Sequence, residues 1–139
     1  MAGLISLGVT YGAVAIVKES DAYVIKLIHG KQHFDKEEAS AEDIITEVKR
    51  LPLTVKEIYF NNTVKKVPST EYNQDGPYTF PIPAEVISLG YSIDGGDFED
   101  IYSYPSEAGR WVGVKNGLFC CHKGSGEAGE VRVSYFHFV

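Results

Sequence analysis

The sequence predicts an all-β protein, a single β-sandwich of the concanavalin-A-like, jelly-roll type, and three observations lead there. Apolar residues recur at every second position over short runs, Gly-, Asp- and Pro-containing turns separate those runs, and no internal repeat or low-complexity tract interrupts them. A length of 139 residues is enough for one domain with a real core and too short for two, so residues 1–139 form one predicted unit.

The opening "MAGLISLGV" reads as a strand entered abruptly. It lacks the basic n-region and cleavage-site pattern of a signal peptide, and localisation stays undetermined. In "YGAVAIVKESDAYVIKLIHGKQHF" two β-rich runs, Ala13 to Val17 and Tyr23 to Ile28, flank the polar "KESDA", which predicts a hairpin. Tyr23, Ile25 and Leu27 give the second run one wholly apolar face, while Val24, Lys26 and Ile28 give it a mixed one. "SAEDIITEVKRLPL" admits two readings. Ser40 and Asp43 resemble a helix start, but Ile44, Thr46 and Val48 alternate and Pro52 ends the run early, so a strand is favoured.

"KKVPSTEYNQDGPYTFPIPAE" holds four of the six prolines together with Asp75-Gly76-Pro77, and predicts a long surface connection. "VISLGYSIDGGDFEDIYSYP" predicts a second hairpin, closed at Asp94-Gly95, a pair that readily adopts the positive φ angles of a tight turn. In "SEAGRWVGVKNGLFCCHKG", Gly109, Gly113 and Gly117 recur every four residues among the sheet-forming Val112, Val114, Leu118 and Cys120. "EVRVSYFHFV" predicts a closing strand, with Val131, Val133, Tyr135 and His137 on one face and Arg132, Ser134, Phe136 and Phe138 on the other.

Composition narrows the function. The chain is 44% hydrophobic and 23% charged, as soluble globular proteins are, and no apolar run approaches the roughly 20 residues of a membrane-spanning helix. Thirteen basic residues stand against nineteen acidic ones, for a net charge of −6, and the basic ones are scattered. Nucleic acid is therefore not an expected partner, nor is a membrane.

Hydrolysis of a glycosidic bond needs two carboxyl groups facing each other across the sugar. The acids here cluster in turns and on polar faces, as in "KEEASAED" and "DGGDFED", so no catalytic residue is assigned. Asp94, Asp97, Glu99 and Asp100 could supply oxygen ligands, but their order does not match a calcium loop, and a charged hairpin turn accounts for them. His29, His33, His122 and His137 lack metal-ligand spacing, and neither metal nor cofactor is expected. Cys120 and Cys121 alternate across a strand and read as two small buried or half-buried thiols. The sequon at Asn61 matters only in a eukaryotic secretory pathway.

Four stretches carry a resemblance. "AGLISLGVTYGAVAIVKESDAYVIKL", "LGYSIDGGDFEDI", "EAGRWVGVKNGLFC" and "VRVSYFHF" follow the order of the C-terminal domain of family 43 glycoside hydrolases, the β-xylosidase and arabinofuranosidase group, which is a concanavalin-A-like sandwich. The resemblance covers most of the chain, with its strongest motifs in the final 55 residues. It implies a non-catalytic module that packs on a catalytic propeller and, in some relatives, lends a loop to the substrate pocket.

Family members usually carry further strands before the "AGL" strand, so the direct start at Ala2-Gly3-Leu4 predicts a truncated sandwich. Exposed strand edges would then favour self-association, or a rearrangement in which Asn61 to Pro83 supplies replacement pairing. The alternative reading is an independent carbohydrate-binding module. Tyr11, Tyr102, Tyr104 and Trp111 are its candidate stacking residues, and Arg110 and Asn116 are candidates to take sugar hydroxyls of an oligosaccharide. Trp111 can equally plug the core.

Overall fold

Alternating side chains can bury one face of a strand only if a second layer covers it, and the chain supplies that layer. In the computed structural model, which describes residues 1–7, 10–34, 39–41, 43–67, 72–73, 80–81, 84–106, 115–122, 125–126 and 130–137, antiparallel strands build two facing sheets. The larger contains β1 (Ala2–Leu7), β2 (Thr10–Lys18), β3 (Ala22–Phe34), β4 (Ala39–Ala41), β5 (Ile44–Pro52) and β11 (Lys115–Cys120). Its order is β11-β1-β2-β3-β4, with β5 also paired to β3. The smaller contains β6 (Ile58–Val67), β9 (Ala84–Ile93) and β10 (Glu99–Pro105), in the order β10-β9-β6. β7 (Tyr72–Asn73) and β8 (Phe80–Pro81) form a separate two-stranded ladder.

The predicted hairpins are present. β2 and β3 pair from Thr10↔Lys31 to Lys18↔Tyr23, and the Glu19 amide closes the turn on the Ala22 carbonyl at 2.8 Å. β9 and β10 flank the second turn, where Asp94 has φ 50° and Gly95 φ 76°, the left-handed pair that lets two strands meet tightly. The ambiguous "IITEVKRLP" is β5, a strand as favoured, since pairing with β3 supplies partners that an isolated helical turn would lack. Two of the motifs behind the resemblance are neighbours, with Ala2, Gly3 and Leu4 opposite Cys120, Phe119 and Leu118.

Three expectations need correction. The surface connection was expected from Lys65 onward, but Ile58–Val67 is a continuous strand, paired with β9 from Ile58↔Ile93 to Val67↔Ala84. Its polar residues mark an edge strand rather than a loop. Residues 130–137, predicted to close a sheet, belong to none, and Val131, Val133 and Tyr135 are exposed. Cys120 and Cys121 are exposed too, because Cys120 ends an edge strand and Cys121 lies beyond it.

The core lies between the sheets. Leu4, Val14, Ile25, Leu51 and Tyr91 form one buried cluster, joined by Tyr23, Val48, Val55, Ile58, Phe60, Ile93 and Ile101. Leu27, Ile87, Leu89 and Tyr104 form a second. Ile25 and Leu27 both face this interior and Tyr23 packs against it, so the apolar face of β3 is the one turned to the second sheet.

Candidate functional site

Cross-strand register assembles what the linear sequence disperses. On the larger sheet Asn116 lies opposite Ser6, Ser6 opposite Gly12, and Gly12 opposite His29. On the smaller sheet Asn62 lies opposite Leu89, and Leu89 opposite Tyr102. The two rows face each other. The Asn62 side-chain amide donates to Asn116 Oδ1 at 2.7 Å, and the Tyr102 ring stacks on His29 with centroids 4.5 Å apart and its hydroxyl 3.2 Å from Nδ1. Between them Gly12 gives way to Leu89 and the tyrosines, since a Cβ there would lie 2.7 Å from Leu89 Cδ1 and 2.9 Å from Tyr104 Cε1.

This belt of amides, a hydroxyl, an imidazole and phenols runs between the sheets from the solvent-exposed Asn62–Asn116 pair, past the buried Ser6 and Tyr104, to the part-buried Tyr102–His29 pair. The Tyr104 hydroxyl donates to the Ser6 carbonyl at 3.3 Å, and burial raises the Tyr104 pKa above its ordinary value. Ser6 is fully buried, yet its Oγ has no hydrogen-bond partner among the described residues, and Asn62 Oδ1 is likewise buried without one among them. Such atoms each cost on the order of 1–3 kcal/mol, so they mark the end of the belt where packing is least complete.

The candidate sugar-binding residues are not all brought together. Tyr102 and Tyr104 share the inner face of β10, their rings 5.4 Å apart, and Asn116 stands at the opposite end of the belt. Tyr11 is on the other face of the larger sheet, where its hydroxyl is held by Asp43. Burial, then the hydrogen bond and charge of Asp43, push its pKa up to about 12. At 5% and 4% exposure, Tyr11 and Tyr104 present no free ring face, which stacking on a sugar requires. Trp111 and Arg110 lie outside the described residues. Sequence reasoning missed Ser6, His29 and Asn62 as partners of this group, because only strand register aligns them.

The acidic residues of the second hairpin serve the fold. Asp94 Oδ1 accepts the backbone N–H groups of Lys56 and Glu57 at 3.1 and 2.9 Å, tying the turn to the segment before β6. Glu99 Oε2 accepts the Tyr91 hydroxyl at 2.9 Å and lies 4.0 Å from Lys49 Nζ, which sits 5.9 Å from the Tyr91 ring centroid. Burial, followed by that hydrogen bond, pushes the Tyr91 pKa up to about 12. Among the described residues no three His, Cys, Asp or Glu side chains form a metal-binding group. The sequon's Asn61 stands within a paired strand, its Oδ1 buried.

The family model of the beta-xylosidase C-terminal concanavalin A-like domain matches residues 1–139. The chain belongs to that family. Its two-sheet architecture agrees with the family's fold. Comparison with curated proteins and with solved structures returned no match. In this concanavalin A-like domain the belt residues are hydrogen-bonding and packing groups, and none of them is a carboxylate of the kind glycoside hydrolysis uses.

Proposed function

We propose that the chain is a non-catalytic accessory domain that packs on the catalytic propeller of a family 43 glycoside hydrolase and helps to shape its substrate pocket. The match of the C-terminal domain family over residues 1–139 carries this reading. The employment of the acids supports it. Asp43, Asp94, Glu57 and Glu99 hold tyrosine hydroxyls or backbone amides, while Glu19 and Glu47 bind Arg50, so these carboxylates are committed to strand and turn contacts. An oligosaccharide would be met at the junction with the propeller, with Asn116 and, from the sequence, Trp111 and Arg110 as the residues to examine.

The test is gel filtration of the chain mixed with a family 43 propeller stripped of its own C-terminal domain. Co-elution at equimolar ratio is expected, and separate elution at every concentration overturns the reading. Tryptophan fluorescence during titration with xylan- and arabinan-derived oligosaccharides separates the two roles. Saturable quenching of the isolated chain would favour an independent binding module.

A further inference from the structure

On the outer face of the smaller sheet three acceptor oxygens close on one point. Ile58, Phe60 and Tyr91 pack inward on the core, so Asn61 and Gly90 turn outward, and register adds Asp100 to make one row, Asn61↔Gly90↔Asp100. Glycine is the floor of that row. A Cβ on Gly90 would lie 2.6 Å from Asn61 Oδ1, 2.7 Å from the Glu99 carbonyl oxygen and 3.1 Å from Asp100 Oδ1, so any other residue would be forced against them. The register shift between Asp100 and Tyr102 is a β-bulge, a device that re-aims the groups beside it.

Among the described residues no donor answers these oxygens. Asn61 Oδ1 is buried without a hydrogen-bond partner there, and Asp100 carries neither a hydrogen bond nor an ion pair there. The flanking rows, Tyr59↔Ser92 and Thr63↔Ser88↔Ser103, bring hydroxyls and no lysine or arginine. Most of those hydroxyls are engaged elsewhere. Tyr59 donates to Glu57, Ser92 donates to the Gly96 carbonyl, and Ser88 and Ser103 turn to each other at 2.7 Å.

We propose that this cross-strand row is a Ca²⁺ site, with Asp100 Oδ1, Asn61 Oδ1 and the Glu99 carbonyl as its protein ligands and water completing the shell. Convergent acceptors repel one another, and a cation turns that repulsion into attraction. A carboxylate, an amide and a backbone carbonyl are the hard oxygens that Ca²⁺ takes at about 2.3–2.6 Å, whereas Mg²⁺ demands near-ideal octahedral bonds of about 2.0–2.1 Å. The ion stands outward of Gly90, on the side where Asp100 is exposed. A single carboxylate keeps the affinity low, with a dissociation constant of about 10⁻⁴–10⁻³ M. The ligands come from two strands across a third, and not from the run of acids along the hairpin, which is why no calcium-loop spacing announces them.

The test is the thermal unfolding midpoint of the full chain in chelator, in Ca²⁺ and in Mg²⁺, each cation at about 10 mM, well above the expected dissociation constant. Ca²⁺ should raise the midpoint by about 3–6 °C, and Mg²⁺ by clearly less. Equal shifts would show screening of the −6 net charge without a site, and either this or the lack of a Ca²⁺ shift overturns the proposal. Asp100→Asn separates a bound cation from an ordinary hydrogen bond. Its amide can donate to Asn61 Oδ1, so the midpoint in chelator should rise while the Ca²⁺ shift disappears. Persistence of the shift, or a lower midpoint in chelator because a donor already serves the carboxylate, overturns the proposal. Asn61→Asp adds a second carboxylate, and should lower the midpoint in chelator and enlarge the Ca²⁺ shift. An unchanged or smaller shift would count against the site as decisively.

Discussion

The two flanks of the sandwich are built differently. On the β5–β10 side the sheets are closed by interlocking contacts: Leu51 is buried, Val48 and Val55 pack on the core, Lys49 reaches Glu99 and the Tyr91 ring, and Asp94 ties the hairpin turn to residues 56 and 57. On the β6–β11 side the amide contact of Asn62 with Asn116 spans the gap among the described residues. Val64 and Leu118 lie at 49% and 46% exposure beside it, although their strand faces turn inward. Among the described residues, interlocking contacts are thus concentrated at the centre and the closed flank and are sparse on the open one.

The largest effect that would break this contrast lies in the core. Leu89→Ala, at a fully buried site against Gly12, should cost about 2–5 kcal/mol in urea unfolding, whereas Val64→Ala should cost less than about 1 kcal/mol. Equal costs would mean that the open flank is as well packed as the centre. Gly12→Ala should cost roughly 1–3 kcal/mol, because its methyl group meets Leu89 and Tyr104 and the neighbours must shift.

Alkaline titration sharpens the contrast further. Tyr11 and Tyr91 keep their protons to about pH 12 in the folded chain, while an unfolded tyrosine loses its proton near 10. Between these values the unfolded state binds fewer protons, so stability falls as pH rises from about 10 to about 12 and is unaffected by these groups below that window. Unfolding midpoints measured across the window should show the decline, and Tyr91→Phe should lessen it. The smallest effect is expected on the open flank: a double-mutant cycle on Asn62 and Asn116 should give a coupling of about 0.5 kcal/mol, as suits a solvent-exposed amide pair.

Legibility in the sequence followed the range of the interactions. The hairpins at Glu19–Asp21 and Asp94–Gly95 were readable because turn chemistry is local, and β3 was readable because one of its faces is apolar throughout. The strand at Ile58–Val67 was hidden by its polar residues, since an edge strand needs only one apolar face and its lysines serve the edge. The belt was illegible for a different reason: Asn116, Ser6, Gly12 and His29 are adjacent only through register, and Gly12 matters for the side chain it lacks. The stacking role foreseen for Tyr11 and Tyr104 met burial that aromatic content does not reveal.

The proposed role, action through a catalytic partner, is read out by turnover of an aryl β-xyloside. The rate would be measured for the chain alone, for a family 43 propeller lacking its own C-terminal domain, and for the two together. The chain alone should show no turnover, and adding it should raise the activity or the thermal lifetime of the propeller. Turnover by the chain alone, abolished by substitution of a single aspartate or glutamate, would contradict that role.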